Sequence, residues 1–336
     1  MSQPIPRSRR SLLAGIATVP LLPLATHRAF AAGAEATPAA TPSGGMRVVT
    51  DGLGNTIEVP VAPERIVVLD VNLLGLVLSL GLKPVGSSKY GTAESFPEVL
   101  AGQVDGIEVL GKNESLDIEA VVNLKPDLIL MTWYGDPTTY DLVKHIAPTV
   151  RAGEFRDDWR ADSVIVADAV NRRAEMEAIS RAYDQRVAGI REDLPAEFRE
   201  TPTAVIRFRS DDIRLLNANA FASNVLKDIT FTAPDPDAES TGIASDLSLE
   251  RIRDLDFPTL WVVSDGNADA DGNLAEAIAS PLFQTLQAVQ AGHIYFVNQE
   301  WWITLRGYFA AGLILDDVQR YLIEGEPSPT IPGTDG

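Results

Sequence analysis

Cysteine is absent from all 336 residues. That excludes a disulfide, a zinc–thiolate site, a thiol nucleophile and a cysteine able to carry a lipid anchor. Histidine is nearly absent too, with only His27, His145 and His293. A protein that captured free zinc or manganese would be expected to supply more imidazole. Basic charge is short: 28 Lys and Arg stand against 47 Asp and Glu, a net charge of −19. A body that acidic repels nucleic acid and anionic membrane, so neither is expected as a partner. The sequence also lacks a G-x-S-x-G elbow, a G-x-x-x-x-G-K-[ST] loop and a G-x-G-x-x-G turn, which removes the commonest hydrolase, nucleotide and dinucleotide signatures. The N-terminal apolar run, Leu12–Leu24, holds Pro20 and Pro23 and is too short for a comfortable membrane span.

That run belongs to an export signal expected over residues 1–31. Ser8-Arg9-Arg10-Ser11-Leu12-Leu13 is similar to a twin-arginine motif, and Ala29-Phe30-Ala31 fits a small-x-small cleavage site. Removing it takes four arginines and no acid, leaving the remainder near −23. Residues 32–45, rich in Ala, Thr, Pro and Gly, form a low-complexity tether with nothing to bury.

The folded body is organised around a stretch written twice. Leu116, Ile118, Glu119, Val121 and Leu124 align with Leu247, Leu249, Glu250, Ile252 and Leu255 at constant offset. One extra residue later, Pro126, Leu128 and Leu130 meet Pro258, Leu260 and Val262. Each copy reads as a short amphipathic helix, a Pro-marked turn and an apolar strand buried on both faces. The expected fold class is therefore α/β, with two α/β lobes built on parallel central sheets. The first lobe spans 46–157, the second 195–324, and 325–336 is a loose tail. Between the lobes, residues 158–194 contain Gly189 but no proline and carry a rough i, i+3/i+4 apolar stripe. The spacing predicts one helix of roughly 50 Å, a strut that joins the lobes and resists wide opening.

Open α/β sheets bind at the C-terminal ends of their strands, which places candidate ligand residues in the loops there. Arg207 and Arg209 share one face of a strand near its end, where guanidinium donors suit an anionic guest; an internal ion pair with Asp211 or Asp212 is the competing reading. Arg209 is the stronger candidate, with Arg156 and Arg306 behind it. Trp133, Tyr134, Trp301 and Trp302 could enclose a flat, bulky chelate, with Trp302 favoured over Trp301 to face the cleft. Trp159 and Tyr308 fall in the same loop-rich regions. Asn72 and Tyr90 complete the strand-end set. Glu119 and Glu250, equivalent in the repeat, should project as matched acids from the two lobe tips, unless they serve their own helix starts.

Together these pieces resemble the periplasmic substrate-binding proteins that serve ferric-siderophore and cobalamin ABC importers. The markers are the hairpin before Pro63-Glu64-Arg65-Ile66-Val67, then Leu80-Gly81-Leu82-Lys83-Pro84-Val85-Gly86, then Ile118-Glu119 leading into Leu124-Lys125-Pro126-Asp127-Leu128-Ile129. Ile146-Ala147-Pro148-Thr149, the strut helix, and Trp301-Trp302 before the closing helix follow in order. The pairing of Trp301-Trp302 with Arg306-Gly307 resembles the ferric-siderophore branch more than the cobalamin one. The resemblance implies two lobes joined by one rigid helix, a ligand cleft between them, and acids at Glu119 and Glu250 meeting arginines of an ABC permease. It implies a monomeric, extracytoplasmic binding protein with no catalytic role and no cofactor, its iron arriving as a chelator-bound Fe(III) complex. The first lobe departs from catecholate-type relatives, because the loop after Ile129-Leu130 offers Trp133 and Tyr134 and no arginine; a hydroxamate or mixed chelate becomes plausible. Cobalamin or haem on the same fold is the alternative, and a secreted α/β hydrolase using His145 or His293 is the rival from another class.

Overall fold

The computed structural model describes residues 44–329 apart from 91–92, 114, 133–136, 154–157, 235–241, 249–250 and 253–254. The export signal with Arg9, Arg10, Ala29 and Ala31, and the site candidates Trp133, Tyr134, Arg156 and Glu250, lie outside the described residues.

The body opens on an antiparallel hairpin, β1 (Met46–Thr50) and β2 (Thr56–Pro60). The Asp51 carboxylate closes its turn by accepting from the backbone N–H groups of Leu53 and Asn55 at 3.0 and 2.8 Å. The hairpin docks through Gly52, whose N–H donates to Arg151 O at 2.7 Å. A Cβ on Gly52 would lie 2.6 Å from the Gly153 backbone, so only glycine allows the approach.

The first lobe then runs β3 (Ile66–Val68), α1 (Val71–Ser79), β4 (Gly86–Lys89), β5 (Glu108–Lys112), β6 (Ser115–Leu116), α2 (Ile118–Asn123), β7 (Leu128–Met131), α3 (Pro137–Val143) and β8 (Thr149–Arg151). Two helices follow, α4 (Trp159–Ala169) and α5 (Arg173–Asp193). The second lobe runs β9 (Thr203–Phe208), β10 (Ile213–Leu216), α6 (Phe221–Ile229), β11 (Ala244–Leu247), β12 (Thr259–Ser264), α7 (Ala268–Ala279), α8 (Gln287–Ala291), β13 (Ile294–Val297) and α9 (Tyr308–Val318).

Two sheets result, ordered β6-β5-β4-β3-β7-β8 and β11-β10-β9-β12-β13. Only β6 is antiparallel in the first. The second is more mixed than the expected parallel sheet: β9, β12 and β13 are parallel, but β10 runs antiparallel to both β9 and β11. A tight turn at Ser210-Asp211-Asp212 causes this, because a chain that reverses over so few residues pairs antiparallel.

The two copies of the repeat take matching places. In each, the leading Leu (Leu116 or Leu247) closes an outer-edge strand, β6 or β11, and the apolar run becomes the strand beside the central one, β7 next to β3 and β12 next to β9. Side chains alternate between two cores as period-2 strands require. Val67, Leu69, Ile129 and Met131 face α2 and α3, while Ile206, Phe208, Leu260 and Val262 face a separate outer core of the second lobe. The remaining faces, with Val68, Leu130, Val205 and Trp261, share one core continuous through both lobes.

The strut is shorter than predicted. The chain breaks at Val170–Arg172, where Asn171 adopts φ +57°. Asn171 N–H donates to Asp168 O and Arg172 N–H to Ala167 O, the paired bonds that end a helix on a left-handed residue. Asparagine enters that conformation more readily than most residues, so the signal stood in the sequence as Asn171. The interlobe helix is α5 alone, 21 residues and about 32 Å long.

Packing at this joint is specific. Trp159, 3% exposed, meets Tyr183, Phe221 and Tyr308 edge to face at centroid distances of 5.7, 5.5 and 4.8 Å. Its four rings come from α4, α5, α6 and α9. The Arg160 guanidinium lies 4.3 Å over the Trp159 ring and pairs with Asp228, which also accepts from Tyr183 Oη at 2.7 Å. Tyr308 Oη donates to Ser180 Oγ at 2.9 Å, and Arg186 on α5 grips α9 through Gly312 O and Asp316. Trp159 and Tyr308 are thus packed in the core of this joint, and Trp159 also lines a small cavity with Asn72 and Arg306.

Candidate functional site

The C-terminal ends of β4 in one sheet and β9 in the other meet across the lobes. Tyr90 follows β4 in one lobe, Arg207 sits near the end of β9 in the other, and the phenol oxygen and guanidinium Nη2 are 3.4 Å apart. A second bridge lies nearby. The Glu300 carboxylate, just after β13, accepts from Glu98 N–H at 2.6 Å and Val99 N–H at 2.9 Å in the first lobe.

On the first lobe the floor is a buried polar network. Asp70, fully buried, caps α1 by accepting from Asn72 N–H at 2.9 Å, and it also accepts from Asn72 Nδ2, Asn113 Nδ2 and Thr132 Oγ1. Asn113 Oδ1 in turn accepts from Ser88 Oγ at 2.5 Å. This ties together the ends of β3, β4, β5 and β7. Burial pushes the Asp70 carboxyl above the ordinary range, against the pull of its hydrogen bonds and of the Arg306 charge. Asn72 is 3% exposed and its amide donates to Asp70, so it supports the floor.

Arg306 sits at the joint end of the floor. Its backbone N–H donates across the lobes to Asn72 O at 3.3 Å, and its guanidinium lies 5.9 Å from the Phe221 ring. It lines a cavity of about 20 Å³ with Asn72, Thr132, Asp162 and Ser163, room for roughly one water.

The second lobe contributes Arg207 and Arg209 on one face, as their spacing requires, but both are engaged. Arg207 Nε and Nη2 donate to the two Asp265 oxygens at 2.6 and 3.0 Å. Burial works most strongly against this guanidinium, and only Asp265 and Tyr90 together outweigh it, holding Arg207 above the usual arginine value. Arg209 Nη1 donates to Asp212 at 3.0 Å, the internal pair foreseen as the competing reading. Asp265 was not foreseen; its position at the end of β12, parallel neighbour of β9, was the available signal. Of the two arginines, Arg207 is the one that meets the opposite lobe.

The tryptophan pair also differs from expectation. Trp302, favoured as a cleft wall, is 1% exposed and stacks on Trp261 at 5.0 Å. Trp301 is half-buried. Both indole N–H groups donate to one oxygen of Asp317, at 2.7 and 2.8 Å. A π turn over Glu300–Thr304 carries the two indoles toward α9 together, where an alternating arrangement would have separated them. Burial raises the Asp317 carboxyl to about 6, partly offset by the two indole bonds.

Glu119 is exposed on the first turn of α2. The cap of that helix is Asp117, which accepts from Ala120 N–H at 2.9 Å, so Glu119 is not needed for it. His145 and His293 lie in different lobes, His293 packed 4.7 Å from the Phe198 ring. Among the described residues no group of His, Asp and Glu is arranged to hold a metal ion, and no helix is long and apolar enough to cross a membrane.

Two α/β sheets with facing strand ends, joined by one helix, describe a binding cleft. A model of the periplasmic binding protein family matches residues 66–300. The chain belongs to that family. Among periplasmic binding proteins, it is similar to the probable siderophore-binding lipoprotein YfiY of Bacillus subtilis, 29% identical over 287 residues, covering 83% of this chain and 88% of that one. It also resembles the Fe(3+) dicitrate-binding periplasmic protein FecB of Escherichia coli, 24% identical over 263 residues, covering 77% and 84%. Staphylococcus aureus SirA, solved in complex with staphyloferrin B, shares the fold at a TM-score of 0.74 and 24% identity, covering 82% of this chain and 98% of that one.

Proposed function

We propose that this protein captures a ferric siderophore outside the cytoplasm and delivers it to an ABC permease for iron uptake. The observation that carries the reading is the meeting of Arg207 with Tyr90 across the strand ends, in a chain whose relatives bind siderophores and ferric citrate. Arg207, Arg209 and Arg306 offer donors for the oxygens of a chelate, and Tyr90 offers an apolar face with a polar tip. The protein binds without catalysis. Iron is the cargo, already wrapped by its chelator, and no resident cofactor is required. Residues 1–31 act as a twin-arginine export signal, and the mature chain works as a monomer. Glu119, exposed on α2, and its repeat counterpart Glu250 are the permease contacts, because paired carboxylates give an arginine-bearing partner register and steering.

Intrinsic tryptophan fluorescence tests the ligand class. Titrated with ferric siderophores, their iron-free forms, haem and cobalamin, the protein should show saturable quenching by at least one ferric siderophore and none at matched concentration by haem or cobalamin. Saturation by haem or cobalamin with no ferric siderophore bound would move the protein to the alternative ligand of the same fold.

A further inference from the structure

The arginines of the second lobe are answered from within. β9 and β12 pair in parallel with Arg207 beside Val263, and Asp265 N–H donates to Phe208 O at 3.0 Å, extending that ladder by one bond. With a period of two, Asp265 falls on the same face as Arg207, and it meets the guanidinium with both oxygens. The pair is 16% and 17% exposed. Arg209 Nε lies 3.8 Å from the same carboxylate while Nη1 holds Asp212, and Asp212 also takes Arg214. Across the cleft, Lys89 stands 3.7 Å from Glu94. Arg207, the cation that meets the opposite lobe, has a carboxylate already beside it, and so do its neighbour Arg209 and Lys89.

Resting on the capture of a ferric chelate proposed above, the geometry points to Asp265 as the residue that sets the charge class of the guest. It neutralises Arg207 from a fixed backbone position, so the cleft takes an uncharged or weakly anionic chelate in preference to a strongly anionic one. Specificity is a difference of affinities, and a built-in carboxylate raises the cost of every additional negative charge on the guest. Three hydroxamates cancel the charge of ferric iron, whereas three catecholates leave it triply anionic; the first kind fits a wall balanced in this way.

The test compares the dissociation constants of a neutral ferric trihydroxamate and a triply anionic ferric tris-catecholate, at fixed pH and ionic strength, for wild type, Asp265→Asn and Asp265→Glu. Wild type and Asp265→Glu should favour the neutral chelate. Asp265→Asn keeps the shape and one acceptor but releases a positive charge, so the ratio should move toward the tris-catecholate by roughly tenfold or more. A ratio unmoved in folded Asp265→Asn overturns the role of Asp265. So does a wild-type preference for the tris-catecholate, a result that decides the matter even if Asp265→Asn does not fold. Binding of neither chelate, nor of any other ferric siderophore, overturns the capture reading and this inference with it.

Discussion

Replacing Trp159 by alanine is expected to destabilise the protein by about 3–5 kcal/mol. The indole is 3% exposed and touches rings from three other helices, so truncation loses its burial, leaves a cavity, and removes three edge-to-face contacts at once. It also strips the apolar face beneath Arg160, leaving that half-buried guanidinium to Asp228 and the more distant Tyr183 ring. For a chain of this size the loss should lower the melting temperature by roughly 10 °C, read by calorimetry. Trp159→Phe, which keeps a ring in the joint, should recover a good part of it. A loss below about 1 kcal/mol in the alanine variant would mean that the four rings are not what fixes the lobes.

Removing both matched acids should give the other large effect. Glu119→Ala combined with Glu250→Ala is expected to abolish siderophore-dependent iron uptake while leaving the affinity of the purified protein for its ligand unchanged. On α2 the helix start is capped by Asp117, so the Glu119 substitution removes a surface charge without loosening the fold, and its stability cost should stay within about 0.5 kcal/mol. Each single variant should weaken uptake less than the pair, since two separated contacts set orientation together. Lost ligand affinity in the double variant would place these glutamates in the cleft and not at a permease.

The large-scale design could be read from the chain. The near-fixed offset between Leu116–Leu130 and Leu247–Val262 predicted like-built lobes, and both copies occupy matching sheet positions because an apolar run flanked by a helix has few places to go but beside a central strand. Arg207 and Arg209 were placed on a shared face by period alone. What escaped was one local break and several contacts set by long-range partners. The break at Asn171 lay inside a segment whose composition favours helix throughout, and a single residue in a left-handed conformation overrode it. Asp265 is 58 positions from Arg207 and becomes its counter-ion only through strand register. Trp302 looked like a wall because it follows a strand end, yet Asp317 and Trp261 hold it in the core. Asn72 sits at the expected strand end, and its amide also serves Asp70, a buried acid in need of donors that the sequence did not single out.

The central claim is that a guest is held where the strand ends of two lobes meet, with the joint helix left as it was. Hydrogen–deuterium exchange with and without a bound ferric siderophore addresses it directly. Protection should rise in peptides carrying Ser88–Tyr90 and in those carrying Arg207–Asp212, on both sides at once, while Met176–Ile190 of α5 exchanges as before. Protection confined to one lobe, or centred on α5, would contradict the account.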